Sequence, residues 1–392
     1  MTRALALAVI LGSCGYRDYV LVDPDTGPAL GWVEPAGACT AASSIDLLLV
    51  VDDSSSTDDE QTLLAAALHS LAGTLTSPPD DDADGRPDWP PITSLHAAVV
   101  TTDMGTGGAA IPTCGSGTFG AMLGDDGIFV TRGSSAPGCS LGAHPPILSF
   151  EPLDPMGLFQ LGCAASLGSG GCSYEQPLEA MLKALSPSAP ASYTAASYAP
   201  PAFFAGTSPH GDRQNAGLVR DDSLLAVLVV TDEDDCSAAD VELFDPASTT
   251  YATAPDLRCA AHPAALHPPA RYVDGLLALR ARRPDLLALA VLAGVPPDVS
   301  AVAPTPADYA ALLARPEMQG GIDTGVLPPA VRTSCTSPAG RTAQAPRRLV
   351  RVAQGLGTGR ATVQSICNDD FGPALGAAAR LFGRRACASR AR

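Results

Sequence analysis

The sequence predicts an α/β fold: a doubly wound, mostly parallel sheet flanked by helices, with long disulfide-stapled insertions. Three observations predict it. Apolar runs of strand length alternate along the chain with segments of helical periodicity. Two of these runs, IDLLLVVD at 45–52 and SLLAVLVVTDEDD at 223–235, are almost continuously apolar, as strands covered on both faces require, and both end in acids. The 38 glycines, 36 prolines and 11 cysteines imply many turns and cross-linked excursions between the packed elements.

The elements follow in order. After the strand at 45–52, TLLAAALHSLAGTL has the apolar spacing of a helix reaching about Leu75. LHAAVVTTD, 95–103, is the next strand. Residues 104–173 form a Gly-rich, cysteine-bearing insertion, with short strands expected at GIFVT and PILSF. A helix at YEQPLEAMLKAL precedes the strand at 223–235. A helix over 271–282 leads into strand 286–295, and the chain closes with helix 346–355, strand 361–367 and helix 371–384. The unbroken alternation favours one domain over 45–384 rather than two unrelated ones, with 385–392 as a C-terminal tail.

Apolar residues make up 46% of the chain but aromatics only 5%, so the core is expected to be Ala, Leu and Val. The 24 basic side chains, of which Lys183 is the one lysine, face 41 acidic ones, for a formal charge of -17. That balance argues against nucleic acid, whose phosphates ask for a basic face.

The N-terminus, MTRALALAVILGSC, has one basic residue, a short apolar run and Leu-Gly-Ser directly before Cys14. It resembles a bacterial lipoprotein signal, which implies removal of residues 1–13 and acylation of Cys14. Residues 14–44 then read as a lipid-attached tether, and lipid is the expected membrane anchor. The expected location is the bacterial cell envelope, with the outer membrane or cell surface favoured over the inner membrane because Gly15 gives no acidic retention signal. Removing Cys14 from the count leaves ten cysteines, enough for five bridges in an oxidising compartment. The expected pairs are Cys39 with Cys387, Cys114 with Cys139, Cys163 with Cys172, Cys236 with Cys259, and Cys335 with Cys367.

The sharpest chemical signal is Asp52-Asp53-Ser54-Ser55-Ser56 after the first strand. Its D-x-S-x-S spacing lets carboxylate and hydroxyl oxygens converge on a hard cation. The plain alternative is an Asp/Ser helix cap. A second acidic strand end, Thr231-Asp232-Glu233-Asp234-Asp235, shifts the weight, because strand ends meet in one crevice of a doubly wound sheet. Two such ends bring unneutralised acids together, and a cation removes that conflict.

On these residues the chain resembles the von Willebrand factor type A family, over approximately 45–384. The resemblance implies a metal-ion-dependent adhesion site holding Mg²⁺ or Ca²⁺, with Asp52, Ser54 and Ser56 as first-loop ligands and Asp232 as the later acidic contributor. It implies recognition rather than catalysis, with an acidic side chain of a protein or matrix partner completing the coordination. One element departs from the family pattern. Where the family has a Thr in a Gly-rich loop, this chain has Gly170-Gly171-Cys172-Ser173-Tyr174-Glu175. Ser173 or Glu175 is then the substitute donor, and Glu175 would add negative charge or close the position left open to a partner. Thr102 and Asp103, at another strand end, are further candidates.

A second acidic passage, Asp80-x-Asp82-x-Asp84-Gly85-x-x-Asp88, resembles a truncated calcium loop. Pro91 stands where the full pattern has Glu, and a solvated acidic loop is the competing reading. The six histidines form no zinc spacing. The serines lack a nucleophile elbow, and the glycine stretches lack a phosphate loop's Lys-Ser/Thr ending. The expected function is therefore that of a cell-envelope lipoprotein, not an enzyme, binding a protein or matrix partner through a metal-bearing face. The alternatives are a structural envelope lipoprotein with a degenerate or purely structural metal site and, more distantly, a metal-dependent extracellular hydrolase.

Overall fold

Strand β1 (Ser44–Val51) is the centre of the sheet in the computed structural model, which describes residues 42–387 apart from 135, 137–138, 140–141, 155–157, 190–197, 200 and 300–303, together with 22–23 and 27–28. Ile45, Leu47, Leu49 and Val51 enter one apolar layer, while Leu48 and Val50 enter the other. This period-2 division explains why the run is apolar at nearly every position. Asp46 is the exception. It is fully buried at the strand's beginning, where Arg220 Nε reaches it at 2.7 Å and Arg220 N donates to it at 2.6 Å.

The other strands longer than two residues among the described residues are β2 (Ser94–Thr101), β3 (Leu148–Phe150), β4 (Leu224–Val230), β5 (Leu287–Ala293), β6 (Thr333–Thr336), β7 (Thr342–Gln344) and β8 (Ala361–Ser365). The main sheet runs β8-β5-β4-β1-β2-β3, parallel except that β3 lies antiparallel to β2. The chain thus builds outward from β1 through β2 to β3, then returns to β1's other side with β4. The strand order reverses between β1 and β4, and the crevice at their carboxyl ends is where such sheets bind ligands.

Helices α1 (Asp58–Thr76), α2 (Leu158–Ala165) and α7 (Gly372–Cys387) cover one face. The other is covered by α3 (Pro177–Leu185), α4 (Ala270–Leu279), α5 (Pro306–Ala314) and α6 (Arg347–Leu356). Among the described residues, no helix is long and apolar enough to cross a membrane. The expected signal at 1–13, Cys14 and most of the 14–44 tether lie outside the described residues.

The sequence reading misses α2, α5 and the β6–β7 hairpin, and the strand expected at GIFVT does not form. Gly127 there has φ +68°, and Phe129 N–H donates to Asn215 Oδ1 at 3.0 Å instead of joining a ladder. Side-chain capture thus replaces strand pairing, although Val130 N still reaches Val99 O at 2.8 Å.

Two expected disulfides are corrected. The bonds are Cys114–Cys172 and Cys139–Cys163, not Cys114–Cys139 and Cys163–Cys172. Cys163 is held within α2, so it is not free to close the short Gly/Ser loop before Cys172. The 112–116 segment instead folds onto 169–173, with Thr113 and Ser173 hydroxyls 2.6 Å apart. Cys236–Cys259 and Cys335–Cys367 pair as expected. Cys387 is disulfide-bonded, while its expected partner Cys39 lies outside the described residues.

Close packing of α7 gives a direct stability prediction. A Cβ at Gly383 would sit 2.1 Å from the ring of Trp89, itself only 2% exposed. Gly383→Ala is expected to lower unfolding free energy by about 1–3 kcal/mol, the usual penalty of overpacking. Urea unfolding reads this as a lower midpoint at unchanged slope; an unchanged midpoint would show that the contact relaxes freely.

Candidate metal centre

The first loop leaves the sheet where β1 and β4 are still joined, since Asp52 N–H donates to Val230 O at 3.0 Å. Two side chains of the α1 entry then fix its path. Thr57 Oγ1 donates to Asp52 O at 2.9 Å and to Ser54 O at 3.0 Å. Gln61 Nε2 donates to Asp52 O at 2.9 Å and to Gly168 O at 2.8 Å, while its Oε1 receives the Leu167 and Gly168 N–H groups. Gln61 therefore ties the first loop to the Gly-rich stretch 167–175, called the third loop below, a role that sequence reasoning misses. Asp58, Asp59 and Glu60 occupy α1's first turn, where the helix dipole favours acids.

Asp52 Oδ1 receives Ser54 N–H at 2.9 Å and Oδ2 receives the Thr231 hydroxyl at 2.7 Å. The Ser54 and Ser56 hydroxyls lie 3.0 Å apart, and Ser56 also reaches the Asp232 carboxylate. Glu175 lies against Asp52, with Oε2 bonded to the Thr102 hydroxyl. Asp52, Asp232 and Glu175 are 1%, 6% and 0% exposed, so little water reaches them. Among the described residues, Asp232 Oδ1 and Glu175 Oε1 have no hydrogen-bond partner. An unsatisfied buried polar group costs about 1–3 kcal/mol, and more when charged.

Electrostatics follow from that crowding. Burial raises Asp52, opposed by bonds from Thr231 and Ser54. Asp232 is pushed up to about 8 by burial and by the Asp52 charge. Burial, with Asp52, Glu233 and Asp53 nearby, holds Glu175 well above the ordinary range. The donors are all hard oxygens and their excess charge is negative, the combination that Mg²⁺ or Ca²⁺ accepts. Asp52, Ser54, Ser56 and Asp232 are the residues that would hold the ion, which would supply the positive charge this pocket lacks.

Other candidates separate clearly. Ser173 is exposed and paired with Thr113, away from Asp52, and Cys172 is committed to its disulfide. Glu175 is therefore the third-loop residue at the centre. Asp103 is buried and accepts from Gly105 N at 2.8 Å. It contributes to a flanking acidic cluster with Asp53 and Asp125, spanned by Arg132 at 3.7 Å from Asp53 and 3.4 Å from Asp125. The acids after Asp232 divide by role. Glu233 is raised by burial and by Asp232 and Asp52. Asp234 and Asp235 are anchored by Arg348, and Asp235 Oδ1 also receives the Leu178 N–H at the start of α3. Asp53, Glu60 and Glu233 were legible only as acids adjoining the motif.

In the second acidic passage, Asp80, Asp82 and Asp88 present carboxylate oxygens within 4.8 Å of one another, a cluster that could hold a metal ion. Among the described residues no other trio of acid, His or Cys side chains meets that spacing, so Asp52, Asp232 and Glu175 do not. Asp84 turns instead to the Arg86 N–H at 2.9 Å. Arg384 reaches Asp88 at 2.8 Å and Asp81 at 2.7 Å, giving this exposed loop a compensating charge, whereas the arginines beside the central site, Arg132 and Arg341, pair with Asp53 and Glu60.

Compared with known proteins, the chain matches no family model, no curated protein and no solved structure.

The raised carboxyls give a signed pH dependence for the chelated protein. Asp232 contributes stability that is complete below its unfolded value of about 4 and is lost as pH rises toward 8. In EDTA the thermal midpoint of the wild type should therefore fall across this window more than that of Asp232→Asn. Equal slopes in the two proteins would contradict the assignment.

Proposed function

We propose that this chain is a cell-envelope lipoprotein of the von Willebrand factor type A kind. Its Mg²⁺- or Ca²⁺-bearing face captures a protein or matrix partner through an acidic side chain of that partner. The observation carrying the reading is the convergence of Asp52, Ser54, Ser56 and Asp232 at the β1/β4 switch point, with a buried carboxylate oxygen left unpaired. The four disulfides whose two cysteines both lie among the described residues support an oxidising compartment outside the cytoplasm. Cys14 is the proposed lipid attachment, and Cys14→Ala should abolish incorporation of labelled fatty acid.

A structural metal role is the second reading, and one observation favours it: Glu175 is fully buried beside Asp52 and could close the ion to outside ligands. Calorimetry with Mg²⁺, Ca²⁺ or Mn²⁺, followed by titration of an aspartate-containing peptide, separates the two. The adhesion reading expects peptide binding that chelation abolishes and Asp232→Ala removes. Cation binding with no peptide binding would leave the structural reading; peptide binding indifferent to chelation would contradict both.

A further inference from the structure

Beside the first loop lies a cleft of about 400 Å³, walled by Ser55, by the 112–116 segment and by 169–173. This volume is at the small end of ligand pockets, which run roughly 300–1,000 Å³. Its lining is unusual in chemistry. Ser55, Thr113, Ser116, Ser169 and Ser173 bring hydroxyls, and Gly115, Gly170 and Gly171 bring no side chain. Among the described residues, no charged side chain and no aromatic ring lines it.

The two long walls are fastened to each other. Cys114 is bonded to Cys172, the Thr113 hydroxyl meets that of Ser173, and the Ser116 hydroxyl donates to Gly170 O. Ser169 Oγ is held in turn by Asp58 of α1 at 3.1 Å. A cleft braced on several sides loses little freedom when filled, which favours binding. Ser55, which lines it, stands between the proposed ligands Ser54 and Ser56, so an occupant of the cleft adjoins the first loop.

We propose that this cleft is the specificity pocket of the metal face, receiving the small, uncharged peptide residues that flank the partner's acidic side chain. The inference rests on the metal reading above and adds the class of sequence that the site selects. Walls of glycine and short hydroxyl side chains leave room for an extended main chain with Gly, Ser or Ala side chains. The missing aromatic platform disfavours a sugar ring, and the missing cation disfavours a second anion.

Two glycines provide the test. Both line the cleft and a Cβ at either meets nothing within 4 Å, so Gly115→Leu and Gly170→Leu add bulk to its walls without a clash at Cβ. The full chain is loaded with Mn²⁺, whose affinity is measured first. It is then panned against a displayed peptide library with one fixed Asp between randomised neighbours. Wild type should enrich small, uncharged residues beside the Asp, and both variants should lose that enrichment at least tenfold while binding Mn²⁺ normally. Unchanged enrichment in the variants would overturn the pocket alone, as would displacement of selected peptides by a neutral trisaccharide. Failure of the wild type to bind Mn²⁺ would overturn the metal reading and this proposal together.

Discussion

Replacing Asp52 by asparagine is expected to weaken cation binding on the order of 100-fold or more, the scale at which metal sites respond to altered ligands and their supports. The same substitution should raise the thermal midpoint of the chelated protein. Both effects come from one carboxylate. Asp52 is buried beside Asp232 and Glu175, so without a cation its charge opposes folding. Asparagine can keep the two local contacts, accepting from Ser54 N–H and donating to the Thr231 hydroxyl. Calorimetric titration and thermal melts in EDTA read the two effects separately. A variant that loses stability in EDTA would mean that Asp52 is a structural acceptor rather than an uncompensated charge.

Removing the Cys114–Cys172 bond with serines is expected to cost about 2–5 kcal/mol, as for native disulfides generally. It should also weaken cation binding, because Cys172 is three residues before Glu175 and the bond fastens the third loop to the 112–116 segment. The Cys335–Cys367 pair offers the control, since it joins β6 to the end of β8. Its double serine variant should lose comparable stability in urea while keeping cation affinity. Equal losses of affinity in both variants would indicate general loosening rather than control of the third loop.

The sheet was legible because its strands bury both faces, leaving continuous apolar runs such as 45–52 and 223–230. Asp52, Ser54, Ser56 and Asp232 were legible because their loops adjoin those strands. Elements set by long-range contacts were not. Helix α2 carries its apolar residues in only two turns inside a Gly-rich passage, and GIFVT is held by Asn215 from a distant segment. Local spacing pointed to a Cys163–Cys172 bridge, whereas the real partner of Cys172 is 58 residues away. Gln61 looked like any polar residue of an amphipathic helix, yet both ends of its amide join two loops. The third loop was legible as a departure from a pattern, but the choice between Ser173 and Glu175 required knowing that Thr113 occupies the serine.

If Asp52, Ser54, Ser56 and Asp232 share one divalent cation, anomalous diffraction from a crystal of the mature chain saturated with Mn²⁺ will locate it. The expected result is an anomalous peak bounded by those four side chains, lost in Asp52→Asn. A saturated crystal whose only ordered manganese lies at Asp80, Asp82 and Asp88, or that has none, would contradict it.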